Sequence, residues 1–413
     1  MAKRAILVFR FDYKANDSSI RELEELASAA GYEVVGTLIQ TRVEDPKYNI
    51  GRGKVHELRD MVTREKADKV IFFNTLKPSQ TYNLRKELGV DVIDRYELIL
   101  EIFAQRAGSQ EAKLQIELAR LKREVSFARE YINLSKRGEL HGFLGGGKYA
   151  VDAYYTYLSN RIALIERVLE KIRAQKNARW ARRSEAGLYA VSLVGYTGAG
   201  KSTLFQRMTQ ESVYIDGKPF ATLSTLSRRT KILGYPVIVT DTIGFIDSLP
   251  EQLIDAFYTT LGETLLADVV VLVVDVSEDI GEIKRKFNAS ISVLSDLGVP
   301  LGKVVIAANK IDLMEAEDIK RKAAVLQASG LPVVPVSAKQ GVGLKRLSEV
   351  IVSKFPDKVT ETLLIPSDGG MLEEVLTKCK VVDISGTWDG KIRLVVEGRA
   401  NIIEKLKARY REQ

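Results

Sequence analysis

Residues 195–203 read Gly195-Tyr196-Thr197-Gly198-Ala199-Gly200-Lys201-Ser202-Thr203, and they lie between a short apolar run, 189–194, and a helix-forming stretch, 202–209. Three glycines, a lysine and hydroxyls, placed where a strand must turn into a helix, restrict the chain to few outcomes. Gly195 and Gly200 let the backbone approach a ligand closely and aim its N–H groups at it, and the helix N-terminus adds partial positive charge. Such a loop cradles phosphate. Lys201 would reach the β- and γ-phosphates of a nucleotide, and the Ser202 hydroxyl would ligate Mg²⁺. A glycine-rich turn without a ligand is the alternative, and the stretches that follow it in the chain decide against it.

A chain of 413 residues is too long for one core, and 45% hydrophobic content supports folded domains. The single cysteine, Cys379, excludes an intrachain disulfide, and with His56 and His141 as the only histidines a zinc site lacks ligands. No signal-peptide layout and no membrane-length apolar run is present, so a cytoplasmic protein without a membrane span is expected. The net charge is +8, and residues 101–183 alone hold 17 Lys+Arg against 9 Asp+Glu. That confinement points to a basic surface for a phosphate backbone, with RNA rather than DNA as the expected partner.

Residues 1–100 alternate strand signals (5–9, 34–39, 70–73, 90–93) with helical ones (18–30, 55–66, 79–88), which predicts a small α/β domain with a parallel sheet. Its loop 48–54, Tyr48-Asn49-Ile50-Gly51-Arg52-Gly53-Lys54, reads either as an anion-binding turn before a helix or as a plain turn with a surface lysine. Residues 101–183 change character. Leu114, Leu118, Leu121, Val125, Ala128 and Ile132 alternate by four and three, as do Val151, Tyr155, Leu158, Ile162, Ile165, Leu169 and Ile172. Two long helices with matching seams, interrupted by a glycine-rich basic stretch at 136–148, predict an antiparallel hairpin. Its tip offers Lys136, Arg137 and Lys148 for phosphate and Phe143 or Tyr149 for stacking, against the alternative of a solvated face. From 184 to 358 the alternation is that of a doubly wound α/β sheet, including strands at 228–234 and 236–241 and a helix at 251–266. Residues 359–413 suggest a small α+β unit with a turn at 387–390, for which a packing or interaction role is the default.

Three further stretches specify the ligand. Asp241 ends an apolar strand, where its carboxylate can hold Mg²⁺, and Gly244 would offer its N–H to a γ-phosphate, making the following segment a switch. Asn309-Lys310-Ile311-Asp312 follows another strand. The Asp312 carboxylate can accept from both N1–H and the exocyclic amine of guanine, a donor pair that adenine lacks, so GTP or GDP is expected. Asn309 would bond the base edge and brace the loop, and Lys310 would lay its stem over the base. Ser337-Ala338-Lys339 completes the pocket, with the Ala338 N–H toward guanine O6. Phe245 stands where many such proteins carry a water-orienting glutamine, and a phenyl ring cannot bond water, which predicts slow intrinsic turnover.

These four motifs resemble those of the translation-factor-related P-loop GTPases. Within them, Asp241-Thr242-Ile243-Gly244-Phe245-Ile246, the preceding Pro219-Phe220-Ala221-Thr222-Leu223, the loop 48–54 and the order of α/β domain, helical hairpin and GTPase domain resemble the HflX family over essentially the whole chain. The chain is thus expected to fall into four parts (1–100, 101–183, 184–358 and 359–413) and to hydrolyse GTP with Lys201 and Gly244 on the phosphates and Ser202 and Asp241 at Mg²⁺; the resemblance adds Thr222 as the switch threonine that completes Mg²⁺ coordination and assists catalysis. Thr225 and Thr230 are nearby alternatives for the switch threonine. It also implies binding to the large ribosomal subunit and its ribosomal RNA in ribosome splitting, rescue or recycling, by a protein that is monomeric off the ribosome. The alternative is a GTP-gated RNA-binding or ribosome-assembly switch in which hydrolysis is incidental.

Overall fold

A computed structural model describes residues 3–13, 17–136, 147–210, 226–242, 244–245, 264–366, 369–386 and 391–411. Thr222, Thr225, the hairpin tip around Phe143, most of the helix expected at 251–266 and the turn at 387–390 lie outside the described residues. The chain divides into two units, with the break near residue 171.

In the first unit, β1 (Lys3–Phe11) is apolar on both faces and Ala5, Ile6, Leu7, Val8 and Phe9 are fully buried. A strand covered on both sides belongs at the centre of a parallel sheet. It pairs in parallel with β2 (Tyr32–Thr41) and β3 (Lys69–Phe72), and β4 (Asp91–Asp94) extends the sheet to the order β2-β1-β3-β4. The crossovers are α1 (Asp17–Ala29), α2 (Arg52–Glu65) and α3 (Pro78–Leu88). Loop 48–54 is a packed turn. Tyr48 and Ile50 enter the core, Lys54 pairs with Glu57 at 2.7 Å, and a Cβ on Gly51 would lie 2.5 Å from an Arg42 guanidinium nitrogen.

A helix that the sequence does not announce, α4 (Arg95–Arg106), follows β4 directly and buries Tyr96, Leu98, Ile99, Ile102 and Phe103. Asp94 caps it by accepting from the Glu97 N–H at 3.1 Å, and the same carboxylate takes both nitrogens of the Arg123 fork at 2.8 and 2.5 Å. Arg123 lies on α5 (Gln110–Lys136), which pairs with α6 (Gly147–Glu185). Leu114, Leu118 and Ala128 are buried on one seam, Leu158, Ile165 and Leu169 on the other. Glu117 meets Arg161 and Glu124 meets Tyr154, so partners rise along α5 as they fall along α6. The expected antiparallel pair follows directly.

The second unit holds a six-stranded sheet in the order β10-β9-β8-β5-β7-β6. Its strands are β5 (Tyr189–Val194), β6 (Leu226–Ile232), β7 (Tyr235–Asp241), β8 (Val269–Asp275), β9 (Val304–Asn309) and β10 (Val333–Pro335), all parallel except β6. The helices α7 (Lys201–Thr209), α8 (Ile280–Asp296), α9 (Ala316–Gln327) and α10 (Leu344–Ser353) alternate with them. After these come β11 (Lys358–Pro366), α11 (Gly369–Lys378), β12 (Lys380–Gly386), β13 (Lys391–Arg399) and α12 (Ala400–Arg411), forming an antiparallel sheet β11-β13-β12 packed on its two helices. The two sheets are tied together. Arg399 pairs with Asp268 and lies 4.5 Å from the centre of the Tyr189 ring, Tyr235 donates to Glu397, and Arg229 donates to the Thr377 carbonyl at 2.8 Å.

Candidate functional site

β5 delivers its chain to the carboxyl edge of the sheet, and the loop that follows must turn within van der Waals reach of β8. Gly195 has φ 139°, and a Cβ there would lie 2.2 Å from the Val273 carbonyl oxygen, so no side chain fits. Gly200, at φ 93°, caps α7 without a side-chain acceptor, and a Cβ would lie 2.3 Å from the Asn309 amide nitrogen. The first-turn N–H groups of α7 therefore face the loop rather than a capping side chain, which is the arrangement that receives phosphate. Tyr196, Thr197, Gly198 and Ala199 make the turn itself, and Thr203 lies in the first turn of α7.

Lys201 is buried, and its ammonium donates to the Gly195 and Tyr196 carbonyls at 2.9 and 2.8 Å. Burial pushes it down to about 8, with the Asp241 carboxylate acting in the opposite direction. The folded value lies below the unfolded one, so the unfolded chain holds more protons between about 8 and about 10.4; Lys201 costs stability below that window, and the ligand-free fold gains stability across it as pH rises. A phosphate restores the charge. GDP binding followed by calorimetry, in two buffers of different ionisation enthalpy, is expected to take up more protons at about pH 8.5 than at about pH 6.5. Lys201→Met should abolish the uptake; uptake that persists in that variant would assign it to another group.

The Ser202 hydroxyl donates to an Asp241 carboxylate oxygen at 2.8 Å, and Thr242 ties the same strand end to the Leu193 carbonyl at 2.7 Å. Hydroxyl and carboxylate oxygens at this spacing, beside a phosphate loop, form a donor set for a hard cation. Among the described residues no cluster of three or more His, Cys, Asp or Glu could hold a metal by itself, so phosphate and water oxygens would supply the other ligands. Thr230 is removed from this pair: it faces Val237 across the β6–β7 ladder, whereas Leu226 faces Asp241.

Gly244 and Phe245 close over the loop. The Phe245 N–H donates to the Gly195 carbonyl and the Thr197 N–H donates to the Phe245 carbonyl, each at 2.9 Å, making a parallel bridge between Tyr196 and Phe245. The Phe245 ring is buried edge-on to Tyr196, with centroids 6.5 Å apart. A Cβ on Gly244 would lie 2.9 Å from the Lys201 ammonium and 3.0 Å from the Thr197 Cα. The chain's own backbone thus stands against the loop's lysine and one of its N–H donors, a contact that the sequence reading did not include.

The third cluster joins β9 and β10. Asn309 does not face outward but braces two loops: its amide donates to the Ala199 carbonyl at 2.8 Å and its oxygen accepts from the Ala338 N–H at 2.9 Å. The Ser337 hydroxyl donates to Asp312 at 2.6 Å, fixing the carboxylate's rotation. Lys310, at φ 70°, reaches Asp275 at 2.6 Å, so its stem is aligned by a carboxylate that the sequence reading overlooked. Asp275 ends the apolar run of β8, and a carboxylate at that place was the available signal. Lys339 is exposed. The structure therefore gathers residues 195–203, Asp241, Gly244, Asn309, Lys310, Asp312 and 337–339 at one edge of one sheet.

Comparison with known proteins is consistent along the chain. Residues 17–104 match a family described as GTP-binding GTPase N-terminal, 106–183 one described as GTP-binding GTPase middle region, and 190–310 one described as 50S ribosome-binding GTPase. A GTPase HflX from Thermofilum pendens is 58% identical over 407 residues, covering 98% of this chain and 96% of the relative. A GTPase HflX from Escherichia coli K12 is 33% identical over 402 residues, covering 95% and 93%. The crystal structure of SsGBP in complex with GDP is similar at TM-score 0.52 and 28% identity, over 85% of this chain and 98% of that one.

Proposed function

Because the chain belongs to the HflX family of GTPases, we propose that it binds GTP and GDP at the 195–203 loop with Mg²⁺, hydrolyses GTP, and in its GTP state docks on the large ribosomal subunit to split, rescue or recycle ribosomes. The observation that carries the nucleotide reading is the pairing of Ser337 with Asp312 beside the Ala338 N–H, on the same sheet edge as the phosphate loop. In this reading the Asp312 carboxylate takes the two guanine donors, and the Ala338 N–H turns from Asn309 to guanine O6.

Water attacks the γ-phosphorus in line, the bond to the β–γ bridging oxygen breaks, and the water's proton ends on the phosphate product or solvent. Lys201 leaves the Gly195 and Tyr196 carbonyls for the phosphoryl oxygens, and the N–H groups of the loop and of Gly244 stabilise the charge that develops there. Ser202 and Asp241, with Thr222 by family resemblance, would hold Mg²⁺, which supplies further charge neutralisation when bound. Phe245 offers no hydrogen bond to water, so the isolated protein turns over slowly until a partner orders the segment after Gly244.

The basic helical pair is the proposed RNA-facing part, because residues 101–183 carry an excess of basic residues as large as the net charge of the whole chain. The match of residues 190–310 to a family described as 50S ribosome-binding supports the same partner. Among the described residues no helix is long and apolar enough to cross a membrane. Cosedimentation with large ribosomal subunits in GTP, GDP and a non-hydrolysable analogue, paired with release of subunits from whole ribosomes, tests this. Binding and release only in the triphosphate states are expected. Binding without release would favour the second reading, a GTP-gated RNA-binding or assembly switch, which the closed Gly244–Phe245 contact supports by making hydrolysis slow.

A further inference from the structure

Arg207 lies in the last turn of α7, on the exposed side of the helix that carries the phosphate-binding lysine. Its guanidinium reaches across to the loop after β10, where Nε donates to the Ala338 carbonyl at 3.2 Å and Nη2 to the Lys339 carbonyl at 2.6 Å. Both carbonyls lie on the C-terminal side of the N–H proposed to read guanine O6. In the structure Ala338 is held at both ends, by Asn309 at its N–H and by Arg207 at its carbonyl. Asn309 also holds the Ala199 carbonyl. A closed ring results, running from the phosphate loop through Asn309 and Ala338 to Arg207 and back along α7.

We propose that Arg207 is a specificity-determining positioning residue, which fixes the direction of the Ala338 N–H and so sets how strictly the 6-position of the purine is read. The inference rests on the reading of Asp312 and residues 337–339 as the base pocket. A purine oxygen that accepts from the Ala338 N–H displaces the Asn309 oxygen from it; the Gly341 N–H on the Ser337 carbonyl at 2.8 Å then holds the peptide plane that carries this N–H, and the Arg207 fork holds the residue from its carbonyl side. Two donors on a planar fork fix the two peptide planes that follow Ala338, and through them its backbone torsions, whereas a lysine ammonium reaches one. The 2-amino side of the base is read by Asp312, which Ser337 orients independently. Arg207 therefore acts on one edge of the base and leaves the other alone.

The test compares GDP, 6-thio-GDP and IDP on the full-length protein, by competition against a fluorescent GDP. The thione is a poor acceptor at the 6-position but keeps both donors for Asp312; IDP keeps O6 and lacks the amine. Wild type is expected to prefer GDP over 6-thio-GDP by about tenfold, the worth of one oriented hydrogen bond, and Arg207→Met to reduce that preference to about twofold while leaving the GDP-over-IDP ratio unchanged. Arg207→Lys should fall between them. Equal weakening of all three nucleotides in Arg207→Met would make the residue a general brace and overturn the proposal, as would unchanged ratios. If wild type itself fails to prefer GDP over IDP, the base-pocket reading falls and takes this inference with it. Arg207 is exposed, so loss of folding in the variants is not expected.

Discussion

Asp312→Asn is expected to weaken GDP binding by about a hundredfold to a thousandfold and to create binding of xanthosine diphosphate in its place. The carboxylate is proposed to accept from two guanine donors, and hydrogen bonds to a charged acceptor contribute roughly 1.5–3 kcal/mol each. A carboxamide presents one acceptor and one donor; the donor faces the guanine amine, which it repels, and matches the 2-oxo group of xanthine. The fold should tolerate the change, because an amide oxygen can still accept from the Ser337 hydroxyl that meets Asp312 at 2.6 Å. Dissociation constants for both diphosphates check this. Unchanged GDP affinity would remove Asp312 from the pocket.

Gly244→Ala carries the second large effect. Its methyl would need to sit 2.7 Å from the Thr197 methyl and 3.0 Å from the Thr197 Cα, and the latter is backbone that cannot swing aside. The bridge from Phe245 to Gly195 and Thr197 therefore opens, and the methyl also crowds the Lys201 ammonium at 2.9 Å. GDP makes no use of that space, so its affinity should stay within about threefold, while single-turnover GTP hydrolysis falls by about a hundredfold or more, the effect of losing one aligned donor to the transition state. Phe245→Ala is the control, since it keeps the glycine and the backbone bonds and removes only the ring against Tyr196. Its hydrolysis rate should change by no more than about threefold, because the ring contributes packing and no polar contact to the reacting atoms. A Gly244→Ala protein that hydrolyses GTP at the wild-type rate would show that this segment does not enter the γ-phosphate site.

The doubly wound sheet and the nucleotide loops were legible because each motif follows an apolar strand, so its position in sequence fixes its position on the sheet edge. Periodicity likewise exposed the helical pair through Leu114, Leu118, Leu158 and Ile165. What escaped has no period. The Tyr196–Phe245 bridge and the Arg207 fork join segments far apart in sequence through backbone carbonyls, which carry no residue signature. The strand read at 228–234 ends at Ile232, because Leu233 and Gly234 form the hairpin turn with φ of 48° and 87°. Leucine is a rare occupant of that region, so the usual asparagine–glycine signal was missing. The helix α4 went unread because it begins directly at Asp94, the last residue of β4, with no intervening loop to announce it. Asn309 is expected to bond the base edge and brace the loop; the bracing contacts, to the Ala199 and Ala338 backbones, join segments far apart in sequence, and only the fold reveals those partners.

We propose a guanine-nucleotide switch whose Gly244–Phe245 segment rests on the phosphate loop and becomes aligned for hydrolysis when a ribosomal partner orders the residues that follow it. Single-turnover hydrolysis of GTP, measured with and without large ribosomal subunits, tests it most directly. Slow hydrolysis by the protein alone, accelerated by a factor of about a hundred or more when subunits order the segment, is the predicted result. Fast hydrolysis by the isolated protein, indifferent to subunits, would contradict it.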